Sequence, residues 1–108
     1  MTITYKVLGQ SNPAAVTLTT LYTVPANTSA VCSTLVVSTL GVSATFRVAV
    51  RPAGDAIANQ HYLAYDISLN QYDSITLTLG ITLAATDVVS VYASNATVAF
   101  NLFGSEIS

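Results

Sequence analysis

The ten residues Ser74–Leu83, SITLTLGITL, set Ile75, Leu77, Leu79, Ile81 and Leu83 on one parity and Ser74, Thr76, Thr78, Gly80 and Thr82 on the other. Side chains of a strand alternate with a period of two, so the segment is a strand with one apolar and one polar face. The polar face is the unusual half. It holds hydroxyls and a glycine but no charge, where a sheet bathed in water normally shows Lys or Glu.

The rest of the chain follows the same plan. Thr, Val, Ile, Leu and Tyr dominate, and Pro, Gly, Asn and Asp punctuate, which is the usage of an all-β protein. The pattern predicts roughly eight strands: Thr2–Leu8, Val16–Val24, Ala30–Leu40, Ser43–Val50, His61–Leu69, Ser74–Leu83, Val88–Ser94 and Thr97–Ile107. The stretches GQSNP, PANTS and RPAGD mark turns between them. No window shows sustained apolar spacing at i, i+3 and i+4, so no substantial helix is expected. Short strands at such spacing predict one antiparallel β-sandwich or small jelly roll over residues 1–108. YDSITL and TDVVSV echo each other, each with an Asp at the strand entrance. Asp73 and Asp87 are therefore expected to close turns by bonding their own backbone, rather than to bind calcium.

Only 7% of the 108 residues are charged, while 52% are hydrophobic; the usual charged share is ~25%. Disorder needs the opposite balance. Thr, Ser or Asn interrupts every apolar run, so no membrane helix is expected. The opening MTITYKVLGQ lacks the basic and apolar regions of a signal peptide, and Asn27 and Asn95 are not expected to carry glycans despite their Asn-x-Ser/Thr settings. No nucleic-acid partner is expected for a chain of net charge −2 whose cations are Lys6, Arg47 and Arg51, because phosphate binding needs clustered Lys and Arg. Cys32 is alone, which excludes an internal disulfide and predicts a buried thiol.

Chemistry-bearing residues are scattered. His61 shares a parity with Leu63, Tyr65 and Ile67 and is expected to be a packed residue of an apolar face. No nucleophile signature, phosphate loop or dinucleotide fingerprint occurs. Asp55, Asp66, Asp73, Asp87 and Glu106 lack metal-ligand or paired-acid spacing. The expectation is a protein without enzymatic activity, cofactor or metal. Tyr62 and Tyr65 have opposite parities and are expected to lie on opposite faces, giving no sugar-stacking platform. On the fourth strand Phe46, Val48 and Val50 face inward, which puts Arg47 and Arg51 together outside, with Asp66 as the intrachain partner if Leu63 and Ile67 point in. The arginines are either a solvated surface pair or anchors for a neighbouring subunit. An uncharged Thr-rich exterior, represented by Thr76 and Thr78, suits packing against other protein, where charges would need costly desolvation. The candidate interface residues are thus Arg47, Arg51, Asp66, Thr76 and Thr78.

Three stretches carry a family resemblance: LYTVPANTSAVCSTLVV (Leu21–Val37), TLGITLAATDVVSVYAS and FNLFGSEI. They resemble small accessory structural proteins of tailed bacteriophages. The shared pattern is a Leu-Tyr-x-Val-Pro-Ala opening on Leu21, Tyr22, Val24, Pro25 and Ala26. A later strand carries Leu83, Asp87, Val89, Val91, Ala93 and Ser94. These motifs form fold rather than chemistry. The resemblance implies a β-sandwich virion component assembled in the host cytoplasm, binding copies of itself (a trimer) and a major capsid protein or tail proteins. A capsid decoration (cement) subunit is the first expectation. A tail, baseplate or fibre-associated protein, including a host-glycan-binding module, is the alternative.

Overall fold

All eight segments form strands in the computed structural model, which describes residues 1–108. They are β1 (Ile3–Ser11), β2 (Thr19–Thr23), β3 (Ser29–Thr39), β4 (Ala44–Arg51), β5 (Tyr62–Leu69), β6 (Ser74–Leu83), β7 (Val88–Ala93) and β8 (Val98–Ile107). Only two three-residue 3-10 turns, Pro52–Gly54 and Asn59–His61, interrupt this plan, both between β4 and β5. The second strand starts later than its composition suggests. Val16 has φ 55° and gives its N–H to the Ala93 carbonyl, so the chain turns there instead of extending.

The strands form two four-stranded antiparallel sheets, ordered β1-β8-β3-β6 and β2-β7-β4-β5. They pack face to face as a sandwich. Leu35, Val37, Phe100 and Leu102 of the first sheet meet Phe46, Val48, Val89 and Val91 of the second in one core cluster. Phe46 and Phe100 cross between the sheets in a T-shaped pair with centroids 6.2 Å apart, a favoured ring geometry. Cys32 lies in the same core, fully buried, and burial pushes its thiol up to about 11, which keeps it a neutral, unreactive filler. No helix is long and apolar enough to cross a membrane.

The echo between YDSITL and TDVVSV is a repeated turn. Tyr72 and Thr86, just before each Asp, have φ 57° and 69°. Asp73 gives its N–H to the Asn70 carbonyl, and Asp87 gives its own to Ala84. The Asp73 carboxylate accepts the Ser74 N–H, whereas that of Asp87 accepts the N–H groups of both Ala84 and Ala53. Both acids are turn residues, as their position suggests.

β6 lies at the edge of its sheet. Its alternation holds, but Ile75, Leu77, Leu79 and Ile81 are only partly buried against the core, and Leu83 alone is fully covered. β1 and β2 touch at one flank of the sandwich, so the strand orders leave β5 and β6 at the other. Few side chains close that flank, and the apolar row of β6 is half open to solvent for that reason.

Candidate functional site

The outer face of the β2-β7-β4-β5 sheet holds the densest group of polar and aromatic side chains, and two irregularities in β5 build it. Phe46 and Val48 are two residues apart on β4, but their partners Ile67 and Ala64 are three apart; Val48 and Ala49 are adjacent, but Ala64 and Tyr62 are not. Each mismatch is a bulge, and a bulge re-aims the side chains that follow it. Asp66 takes the left-handed turn of the first, with φ 52°, a conformation Asp tolerates better than most residues.

The bulges overturn the parity reading of this strand. Tyr62 pairs with outward-facing Ala49, and Tyr65 lies in the stretch opposite Arg47, so both tyrosines share the outer face. Their rings meet edge to face at 4.9 Å. Leu63, Tyr65 and Ile67 do not form a buried face with His61: all three are exposed, Leu63 at 50%. His61 is packed, as expected, but from the 3-10 turn before the strand, where its Nδ1 accepts the Ala58 N–H at 3.1 Å.

Arg47 is the centre of the group. Its Nε–H donates to Asp66 Oδ1 at 2.7 Å and its Nη2 to Oδ2 at 3.3 Å. Its guanidinium carbon lies 4.1 Å from the Tyr65 centroid and 4.2 Å from that of Tyr92, its cross-strand partner on β7. A planar cation between two ring faces is a favourable stack. The hydrogen bond to Asp66 raises the guanidinium pKa above its ordinary value. Arg51 has another task. Its Nε–H donates to the buried Ser90 hydroxyl at 3.1 Å, and its Nη1 donates to the Asp55 carbonyl at 3.0 Å. It ties the loop after β4 onto the sheet.

Of the five interface candidates, Arg47 and Asp66 are therefore joined, and Arg51 lies on the same outer face, engaged with its own loop. Thr76 and Thr78 are exposed on β6 in the other sheet. The candidates make two surfaces rather than one. Tyr92 and the Tyr62–Tyr65 pair are additional members that parity reasoning missed. The one available signal was Asp66 itself, a residue type poorly suited to a strand interior.

A second polar contact links the two sheets. The Tyr22 hydroxyl, on β2, donates to Glu106 Oε2 on β8 at 2.6 Å, and Lys6 Nζ lies 3.3 Å from Glu106 Oε1. The Tyr22 bond, opposed by burial and helped by Lys6, holds the Glu106 carboxyl below its ordinary range. Burial and then Glu106 raise the Tyr22 phenol above its own. These groups satisfy one another inside the fold. Comparison with family models, curated proteins and solved structures finds no match.

Proposed function

We propose that this chain is a non-enzymatic structural subunit that works by packing against other proteins, and that its place is the virion of a tailed bacteriophage. The observation that carries the assembly reading is the open flank of the sandwich. There the half-buried apolar row of β6 alternates with an exposed, uncharged row of Ser and Thr, and Ile67 of β5, paired with the inward-facing Phe46, is exposed as well. Large apolar exposure at a sheet edge is a contact surface or an aggregation hazard. At one end of the molecule Leu40, Val42 and Tyr72 are also exposed, with the Tyr72 N–H bonded to the Gly41 carbonyl.

The fate of the reactive side chains supports the non-enzymatic part. His61 accepts a backbone N–H, Cys32 fills the core, and Asp73 and Asp87 hold turns. Asp66 is paired with Arg47 and Glu106 with Tyr22. The phage assignment draws on the resemblance of Leu21–Val37 and the β6–β7 region, with a capsid decoration subunit as the first form and a tail-associated one as the second. Density-gradient centrifugation of the particles tests it: the chain should migrate with them and stay bound through a wash. Recovery of the chain only as free protein would refute it.

One observation favours a second reading, host-glycan binding. Tyr62 and Tyr65 share a face and line a shallow cleft with Asn59, combining rings that can stack on sugar C–H faces with an amide that can meet hydroxyls. A glycan array should then give binding that Tyr62→Ala and Tyr65→Ala abolish. A blank array would remove this reading.

A further inference from the structure

Four strand edges end the two sheets, and three of them carry a device against pairing with another chain. β1 shifts register at Gly9 and carries Lys6, paired with Glu106. β2 is five residues long, shifts register after Thr20 and runs toward Pro25. β5 has two bulges and the Arg47–Asp66 ion pair. Short edges, bulges and charges are the means by which sheets avoid recruiting a further strand. β6 differs. It is ten residues long without a charge or a proline, and Ser74–Thr78 pairs in unbroken register with Ser38–Thr34 of β3. Its single irregularity comes later, at Gly80, with φ 61°.

We infer that Ser74–Thr78 of β6 pairs antiparallel, edge to edge, with the same segment of a second copy about a twofold axis at Thr76, because this is the one long, regular and uncharged edge. The register sets Ser74 against Thr78 of the other copy, Ile75 against Leu77, and Thr76 against Thr76. Each match keeps apolar residues on the core side and hydroxyls on the outer side, as a continuous sheet requires. The occupant is another copy because the edge is complementary to itself. A charged strand would set like against like across the axis, whereas this one has nothing to repel. The contact also covers Ile75 and Leu77, which the single sandwich leaves half open. The five paired residues run about 17 Å, and a flank about 20 Å deep then gives roughly 340 Å² per partner, a small contact that suits a weak dimer.

The pairing deepens the assembly reading but is separable from the virion. A monomeric chain that still joins particles would overturn the pairing and leave the virion reading intact. Sedimentation across a concentration series tests it. The parent should form a dimer that dissociates on dilution. Thr76→Lys, at an exposed site, should weaken the dimer at least about tenfold by placing two ammonium groups at the axis. Its unfolding midpoint, measured at a concentration where the parent is monomeric, should stay at the parental value. Thr76→Cys should form a disulfide-linked dimer under mild oxidation, while Thr82→Cys, on the same face but far from the axis, should not. A parent that stays monomeric at about 1 mM, a trimer, or a dimer indifferent to Thr76→Lys would overturn the inference.

Discussion

Tyr22→Phe removes one oxygen from the contact that ties β2 of one sheet to β8 of the other. The lost bond is short, at 2.6 Å, and its acceptor is ionised. Hydrogen bonds to charged groups contribute about 1.5–3 kcal/mol net. The lower part of that range applies, because Glu106 keeps Lys6 and its side chain remains 17% exposed to water. A loss of about 1.5–2 kcal/mol should lower the Tm by roughly 6–10 °C in a domain of this size. The pH dependence gives a second, independent signature. Glu106 has a folded pKa below its unfolded value of about 4.3, so its contribution is fully present above that value and is lost as pH falls through the folded pKa. Urea unfolding of parent and variant, followed by circular dichroism at pH 7 and at successively lower pH, should show a gap that narrows as pH falls through the folded pKa. Glu106→Gln keeps an acceptor without the charge and should flatten the same acid limb. A Tyr22→Phe protein as stable as the parent at pH 7, or a gap that stays constant across the whole acid limb, would show that the Tyr22–Glu106 bond does not stabilise the fold.

Other substitutions probe the rest of the fold. Phe46→Ala empties a fully buried position at the inter-sheet ring pair and should cost about 3–5 kcal/mol in urea unfolding. Leu35→Ala, fully buried on β3, should cost about 2–5 kcal/mol, and Leu77→Ala, its half-buried partner on edge strand β6, clearly less by the same assay. Leu77→Asp should still destabilise more than Thr78→Asp, whose side chain faces water. Arg51→Ala should cost about 1–2 kcal/mol, because it leaves the buried Ser90 hydroxyl without that donor and frees the Asp55 carbonyl. Amide exchange in the loop from Pro52 to Asp55 should quicken in the same variant.

The strand plan was legible because each segment alternates and each turn carries its own chemistry. Asp73 and Asp87 could be placed at turns from the echo alone, and Cys32 in the core because a lone cysteine packs as a small hydrophobe. What escaped was anything that depends on how strands pair. His61, Leu63, Tyr65, Ile67 and Leu69 alternate perfectly, yet two bulges in β5 leave Leu63 and Tyr65 exposed and bring Tyr62 beside Tyr65. Register is a property of two strands, and a single-strand pattern does not contain it. The Arg47–Asp66 pair forms as strand parity suggests, although Leu63 and Ile67 are exposed rather than buried. Likewise, Arg51 reads as a free surface cation until the loop after β4 folds back under it. The open flank was hidden for the same reason: sequence shows that β6 is amphipathic, and only the strand order shows that it is an edge.

Copy number in purified particles is the sharpest test of the proposed role as a structural subunit of a virion. Quantitative mass spectrometry of gradient-purified particles, with the major capsid protein as internal standard, should find the chain at a fixed ratio to it. Hundreds of copies are predicted for a capsid decoration subunit, and a few to some tens would assign the tail. Particles that contain no trace of the chain would contradict the claim.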